Sequence, residues 1–296
     1  MTKTSHSATE AFVEHRNLLF TVAYEILGSA ADAEDAVQET WLRWAGVDHD
    51  EVREPRAYLV RIATRQALNR LRTLGRRKES YVGSWLPEPL LTSPDVAEDV
   101  ELAESVSMAM MLVLETLGPT ERAVFVLREV FELDYDEIAA AVDKKTPAVR
   151  QIAHRARSHV AARRPREMVS SDETREALAA FRRATQSGDI QGLLDVLAPD
   201  VVLLGDGGGV KQAIPRPIKG ADKVSRLLMA GMNRIPAGSE LRSAQVNGYP
   251  ALVLWMDGEL DTVVTARVED GRISELYAVR NPEKLSYMQL ETMLRR

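Results

Sequence analysis

Four arginines recur at helical spacing in the segment that follows Pro55, namely Arg61, Arg65, Arg72 and Arg76. At about 100° per residue they share one helix face, while leucines and alanines fill another. Like charges in such a row repel one another unless a polyanion screens them, as nucleic acid phosphate does. The spacing therefore indicates a phosphate-binding helix, and a solvated basic face is the simpler alternative.

A second basic segment has the pattern of a helix-turn-helix. Residues 135–142 predict a short helix and residues 143–145 a turn. Thr146 is the predicted N-cap of the next helix, with Pro147 at its first position. A polar outer face on such a helix is suited to reading base edges in the major groove. The side chains predicted to point outward are Arg150, Gln151, His154, Arg155 and Arg157.

The helix predicted to start at Asp32 has an acidic face. Asp32 is the expected N-cap, and acids in the first turn favour the positive end of a helix. An acidic face with an exposed leucine is suited to a basic protein partner, and a solvated face is the alternative. The residues predicted to face outward are Glu34, Asp35, Gln38, Glu39, Leu42 and Arg43.

Charge is sorted along the 296-residue chain, whose net charge is −6. Residues 53–78 hold nine basic side chains and one acidic, and residues 144–166 hold eight basic and none acidic. Two basic blocks between acidic ones indicate two contacts with a polyanion.

The absence of cysteine excludes disulfides, thiolate metal sites and a cysteine nucleophile. No signal peptide or membrane span is evident, so we expect a cytoplasmic protein without membrane contact.

The periodicity changes near residue 170. Helical patterns dominate before it, whereas β-branched runs broken by glycine turns follow it. The predicted fold is multidomain: two all-α units, the second with the helix-turn-helix, and then an α+β domain. The predicted boundaries are 8–79 for the first unit, 80–105 for a linker, 106–165 for the second unit and 172–296 for the C-terminal domain.

The linker contains the unusual stretch SWLPEPLLTSPD, residues 84–95. Its prolines favour an extended backbone that loses little entropy on docking, and Trp85 offers a large apolar area. We expect this stretch to dock on the C-terminal domain. The alternative is that Trp85 packs on the second helical unit.

Together the three helical segments, in this order, resemble the extracytoplasmic-function sigma factors. The motifs are DAEDAVQETWLRW, PRAYLVRIATRQALNRLR and LGPTERAVFVLREVFELDYDEIAAAVDKKTPAVRQIAHRAR. The resemblance implies that core RNA polymerase contacts Asp32, Glu34, Asp35, Glu39 and Leu42. It implies that the promoter −10 element contacts Arg61, Arg65, Asn69 and Arg72. It implies that the −35 element contacts Lys145, Thr146, Arg150, Gln151, His154 and Arg155.

The remaining motifs, WLPEP, DGGG and NPEKL, resemble those of sigma factors with a C-terminal SnoaL-like domain. That resemblance implies a curved sheet around a cone, and a regulatory role for the domain. The implied interdomain residues are Trp85, Leu86, Pro87, Asp206, Gly207, Gly208, Gly209, Asn281, Pro282 and Leu285.

Two other functions would fit parts of the chain. A ligand-responsive helix-turn-helix regulator leaves the acidic helix unexplained. A cyclase or isomerase needs a catalytic pair, and residues 172–296 offer acids such as Asp206, Asp257, Glu259 and Asp261 but no histidine. We therefore expect no enzyme, no metal and no cofactor, and leave open an unknown small ligand in the C-terminal domain.

Overall fold

The computed structural model describes residues 2–163, 170–232 and 234–296. The predicted boundary near residues 163–171 and the predicted end of the second unit at residue 165 lie mostly outside the described residues. The side chain of Arg76, one of the four arginines above, also lies outside them.

The first unit is a three-helix bundle. Gly28, at φ 70°, ends its first helix, and Ser29 caps the second by accepting a hydrogen bond from the Asp32 N–H. The N-cap is thus Ser29 and not Asp32 as predicted, because the left-handed glycine lets the next helix begin immediately. The elements are α1 (Thr2–Leu27), α2 (Ala30–Ala45), a 3₁₀ turn (His49–Glu51) and α3 (Pro55–Glu79).

The second unit contains the helix-turn-helix as predicted, formed by α8 (Tyr135–Val142) and α9 (Thr146–Ala161). Asp143 ends α8 in the left-handed conformation, at φ 54°. Lys145, and not Thr146, is the N-cap of α9, because the Thr146 hydroxyl donates to Asp136 instead, at 2.6 Å. The linker contains α4 (Pro94–Glu98) and α5 (Val100–Val106). The second unit contains α6 (Met108–Leu114), α7 (Pro119–Phe125) with a π turn (Val126–Val130), and then α8 and α9.

The two helical units share one apolar core. Leu19 and Leu59 of the first unit belong to the same buried cluster as Leu114 and Ile138 of the second. Leu294, from the far end of the chain, is also buried in this cluster. The units therefore pack directly on each other, and the C-terminal segment helps to close them.

The C-terminal domain is a six-stranded sheet with helices on one face. The strand order is β2-β1-β6-β5-β4-β3, with β1 parallel to β6 and the other neighbours antiparallel. The strands are β1 (Leu197–Asp206), β2 (Ile218–Lys219), β3 (Glu240–Val246), β4 (Tyr249–Met256), β5 (Glu259–Glu269) and β6 (Arg272–Val279). The helices are α10 (Ser171–Ser187), α11 (Ile190–Val196), α12 (Ala221–Met232) and α13 (Pro282–Leu285), followed by a 3₁₀ turn (Ser286–Gln289).

The two faces of this sheet bury different partners. One face packs Leu252 and Leu276 against Phe181 of α10. The other packs Val253 and Tyr277 in a cluster that also holds Leu86 of the linker, Met108 of α6 and Leu285 of α13. The linker, the second helical unit and α13 therefore cover the sheet face opposite α10.

Candidate functional site

The outer face of α2 presents the predicted acids around an apolar side chain. Leu42 is 70% exposed, the highest value among the large apolar side chains of α2. Glu34 accepts a hydrogen bond from Arg16 at 2.6 Å. This face thus combines negative charge with an accessible leucine, as the sequence predicted.

Arg70 of α3 occupies the centre of the acidic face. Its guanidinium lies 3.2 Å from Asp32, 3.2 Å from Asp35 and 3.0 Å from Glu39. Arg70 falls inside the apolar stripe of α3, and the α2–α3 packing gives it three carboxylates at once. Three of the predicted polymerase contacts are therefore held by an internal cation.

The beginning of α2 is tied to the linker. One carboxylate oxygen of Glu88 accepts hydrogen bonds from the N–H groups of Ala30, at 2.7 Å, and Ala31, at 3.2 Å. Burial raises the pKa of Glu88, whereas these backbone donors oppose the rise. A carboxylate at the positive end of a helix is stabilising. This role of Glu88 was not predicted, although the residue stands within the WLPEP motif.

The predicted −10 residues lie along one side of α3. Arg61 packs over the Tyr58 ring at 4.6 Å, and Arg72 donates to Asn69 at 3.2 Å. The Arg65 guanidinium donates to the carbonyl oxygens of Ala140 at 2.8 Å and Ala141 at 3.4 Å, at the end of α8. The second helical unit therefore rests on the middle of this arginine face.

The outer face of α9 is open by comparison. Arg150, Gln151, His154 and Arg155 are all exposed. Arg155 has only a loose ion pair with Glu121, at 3.6 Å, and Arg150 lies 5.5 Å from the centre of the Tyr135 ring. Lys145 and Thr146 stand at the beginning of the helix. The six predicted −35 residues thus form one surface that needs little rearrangement to meet a ligand.

The linker and the C-terminal domain meet at Asp206, which is fully buried at the end of β1. One carboxylate oxygen accepts from the Leu86 N–H at 2.9 Å and from the Lys284 ammonium at 2.7 Å. The other accepts from the Tyr81 hydroxyl and from the Gly208 N–H. Burial lowers the pKa of Lys284, and the Asp206 carboxylate opposes that change.

Aromatic rings and glycines complete this site. The Lys284 ammonium lies 3.5 Å from the centre of the Trp85 ring, which in turn packs edge-on against Tyr81. Gly208 adopts φ 64°, and a side chain there would overlap the side chain of Asn281. A Cβ at position 207 would overlap the Lys211 carbonyl oxygen, so only glycine fits there. Gly209 lies against Val82.

The structure therefore brings the three sequence motifs of the predicted interdomain set into contact. Leu86 and Pro87 are buried, Leu285 is buried in the same cluster as Leu86, and Pro282 begins α13. Sequence reasoning missed Tyr81 and Lys284, which hold Asp206. Lys284 lies inside NPEKL, so its position in that motif was the available signal.

Comparison with known proteins identifies both helical units. Residues 11–77 match the Sigma-70 region 2 family and residues 107–160 match Sigma-70 region 4. The chain is 35% identical over 295 residues to the ECF RNA polymerase sigma factor SigJ of Mycobacterium tuberculosis, covering 95% of this chain and 93% of that protein. The chain belongs to the ECF RNA polymerase sigma factors. The family expected from the sequence is confirmed.

Further relatives support the same architecture for this sigma factor. It is 30% identical to the probable ECF sigma factor SigI of M. tuberculosis, over 95% of this chain and 96% of that protein. The crystal structure of M. tuberculosis SigJ matches it with a TM-score of 0.75 at 32% identity, covering 96% of this chain and 99% of the other. The predicted order of two helical units and an α+β domain is confirmed. Among the described residues, no helix of the sigma factor is long and apolar enough to span a membrane.

Proposed function

We propose that this sigma factor binds core RNA polymerase through the outer face of α2 and promoter DNA through α3 and α9. The observation that carries the proposal is that two arginine-bearing helix faces and one acidic face with an exposed leucine occur in a single chain. The sigma factor relatives explain all three together. A regulator that binds only DNA would need neither the acidic face nor the second arginine helix.

The acidic face is suited to a partner whose basic side chains replace Arg70 beside the carboxylates. Arg70 and the carboxylates of Asp35 and Glu39 are partly exposed, so their pairing contributes little net free energy. A basic side chain of polymerase can replace Arg70 at small cost, while Leu42 loses its contact with water. We assign this contact to Asp32, Glu34, Asp35, Glu39 and Leu42.

The two arginine faces support separate promoter contacts. Arginine binds phosphate by charge and guanine by a two-pronged hydrogen bond, and both uses require an accessible guanidinium. On α9 the guanidinium groups of Arg150 and Arg155 are accessible, which supports direct −35 contact. On α3 we assign the −10 element to Arg61, Arg65, Asn69 and Arg72, and this contact requires that α8 first leave Arg65.

The C-terminal domain in this proposal regulates the sigma factor by holding its linker. Asp206, Lys284 and Trp85 fix residues 81–86 of the linker against the sheet, and polymerase needs that segment released.

A polymerase subunit acts where polymerase is, so we place the chain in the cytoplasm. The function needs no catalytic group or cofactor of its own.

Run-off transcription with core polymerase and a cognate promoter tests the proposal. The variant Asp35→Arg with Glu39→Arg reverses charge on the α2 face, and we expect it to abolish core binding and transcript. The matched control, Asp172→Arg with Glu176→Arg, makes the same change at the same spacing on the exposed side of α10. Normal transcription by the α2 variant would refute the assigned polymerase surface.

A further inference from the structure

A third basic segment lies in the C-terminal domain, outside both helical units. The domain as a whole is nearly neutral, because residues 172–296 hold 17 acidic and 16 basic side chains. Residues 211–234, however, hold six basic side chains and one acidic, Asp222. Charge sorted in this way within a neutral domain indicates a surface for an anionic partner, with a solvated face as the simpler alternative. The conformation and pairing of the basic side chains favour the partner.

Four of these side chains project from one edge of the domain. β2 is the end strand of the sheet, and Gly220, at φ 98°, turns the chain directly from β2 into α12. On α12, Lys223 and Arg226 lie about 60° apart around the helix axis, and both are exposed. We call the exposed basic side chains of this edge the basic strip, which consists of Arg216, Lys219, Lys223 and Arg226.

The loop before β2 holds Arg216 away from the body of the domain. Ile214 and Ile218 both pack against the apolar core between the sheet and its helices, so the loop is anchored at both ends. Between these anchors, all three residues of the sequence Pro-Arg-Pro, 215–217, are exposed. The first proline has a fixed φ, and the second favours an extended backbone at the arginine. Ordering Arg216 on a partner therefore loses little backbone entropy.

Most of the positive charge of the basic strip is unpaired. Arg226 forms an ion pair with Asp222 at 2.9 Å, and the two side chains are 74% and 65% exposed. Within the described parts of the chain, Arg216, Lys219 and Lys223 form no ion pair. Like charges that lie close together repel one another in the free protein, and a bound polyanion would relieve that repulsion.

The loop that leads to the basic strip begins beside the end of α3. A methyl group on Gly209 would lie 3.2 Å from the Cβ of Val82, which stands three residues after the end of α3 at Glu79. The proposed −10 face of α3 extends to Arg72, about 10 Å along the helix axis from that end. DNA that binds this part of α3 is therefore close to the loop that carries Arg216.

We propose that the basic strip binds the phosphates of DNA next to the −10 contact, so that the C-terminal domain provides a third DNA contact of the chain. The proposal rests on the proposed function, because that function brings DNA to α3. Lysine and arginine bind phosphate through charge and without sequence preference. The strip therefore raises the affinity of the chain for DNA, and the choice of promoter is left to α3 and α9.

The salt dependence of DNA binding tests the proposal with two triple variants of equal net charge. The strip variant carries Arg216→Gln, Lys219→Gln and Lys223→Gln. The control variant loses three exposed arginines elsewhere in the domain, through Arg175→Gln, Arg183→Gln and Arg272→Gln. The logarithm of the binding constant falls with the logarithm of salt concentration, by about 0.9 for each phosphate contact. For the full chain and a duplex of arbitrary sequence, the slope should become shallower by roughly 2 to 3 in the strip variant and stay at the wild-type value in the control.

A second pair of variants should act in the opposite direction. Asp222→Asn removes the carboxylate that pairs with Arg226, so that guanidinium becomes available to phosphate. Asp172→Asn is the matched control, because it frees Arg175 from a similarly exposed pair in the first turn of α10. Both substitutions change the net charge by the same amount. We expect Asp222→Asn to tighten DNA binding by roughly fivefold at low salt and Asp172→Asn to leave it unchanged.

Equal slopes for the two triple variants would overturn the DNA contact, as would a wild-type chain that does not bind the duplex at low salt. If the strip variant loses affinity for core polymerase while its slope on DNA is unchanged, the partner of the strip is a protein and the proposal is wrong. A wild-type chain that gives no run-off transcript would overturn the proposed contacts with polymerase and promoter instead, while the comparison of slopes still decides the strip.

Discussion

Two sets of opposite charges in this sigma factor differ in how much water reaches them. On α2, the side chains of Arg70, Asp35 and Glu39 are 26%, 54% and 46% exposed. At the interdomain site, Lys284 and Asp206 are 3% and 0% exposed. Exposed ion pairs contribute about 0–1 kcal/mol, whereas breaking a buried pair strands a charge at a cost of about 3–5 kcal/mol. The ion pairs of the α2 face are therefore weak, whereas separating Lys284 from Asp206 strands a buried charge.

The largest fall in the free energy of unfolding is expected from Asp206→Ala. The substitution leaves the Lys284 ammonium, the Tyr81 hydroxyl and the Leu86 N–H without their acceptor in a buried site. The free energy of unfolding should fall by about 3–5 kcal/mol in urea titrations. The double variant Asp206→Leu with Lys284→Met, which removes both charges, should recover only the part of the loss that comes from the unpaired Lys284 ammonium, because the Tyr81 hydroxyl and the Leu86 N–H still lack an acceptor. A loss below about 1 kcal/mol for Asp206→Ala would show that the site behaves like the exposed face.

An intermediate change in the free energy of unfolding, which depends on pH, is expected from Glu25, a buried residue of α1. One of its oxygens accepts from the Ser105 hydroxyl at 2.9 Å, and burial raises its pKa to about 8. The folded protein keeps a proton at pH 7 that the unfolded chain, with its ordinary pKa of 4.5, releases. Stability from this group is therefore complete below about pH 4.5 and is lost as pH rises towards 8, by up to ~1.4 kcal/mol per pH unit.

Glu25→Gln should remove that pH dependence while keeping an acceptor for Ser105. Urea titrations at pH 5, 6, 7 and 8 compare the variant with the wild-type chain. The wild-type free energy of unfolding should fall more steeply over this range than that of the variant. Parallel profiles for the two proteins would contradict the assignment of a proton to Glu25.

The smallest fall in the free energy of unfolding is expected from Arg70→Gln. Its partners Asp35 and Glu39 are about half exposed, so the free energy of unfolding should fall by less than about 1 kcal/mol, and less still in high salt. The effect of Asp206→Ala should be nearly independent of salt. If Arg70→Gln costs more than about 2 kcal/mol, the acidic face is a structural ion network and its carboxylates are poor candidates for exchange with polymerase.

Local patterns predicted most of the helices and strands, because periodicity and turn residues act over a few positions. The helix-turn-helix between Tyr135 and Ala161 is one such case. The two N-caps were misplaced because contacts outside each helix decided them, as when the Thr146 hydroxyl donates to Asp136 of α8. Ser29 and Asp32 are both good caps, and the choice depended on where Gly28 ended α1.

The contacts between units could not be predicted in the same way. Asn247 and Tyr24 are 223 positions apart, and the bond between them depends on how three separate units pack. The sequence NG predicts a hairpin turn equally well whether the turn is exposed or buried. Arg70 lies within the apolar stripe of α3, and its carboxylate partners followed only from the α2–α3 packing. The motifs of the interdomain site indicated contact, while the roles of Tyr81 and Lys284 required the structure.

The order of the two helical units and the C-terminal domain along the chain is also the order in which they are synthesised. Both helical units are complete by Ala161, whereas Asp206, Asn247, Lys284 and Leu294 all follow them. On a ribosome that adds about 5–20 residues per second, the helical units emerge roughly 5–25 s before Lys284 is made. A nascent chain therefore passes through a stage in which region 2 and region 4 are complete but the linker is not yet held by Asp206 and Lys284. In the proposed function, this stage is a brief window in which polymerase can meet a sigma factor whose linker is free.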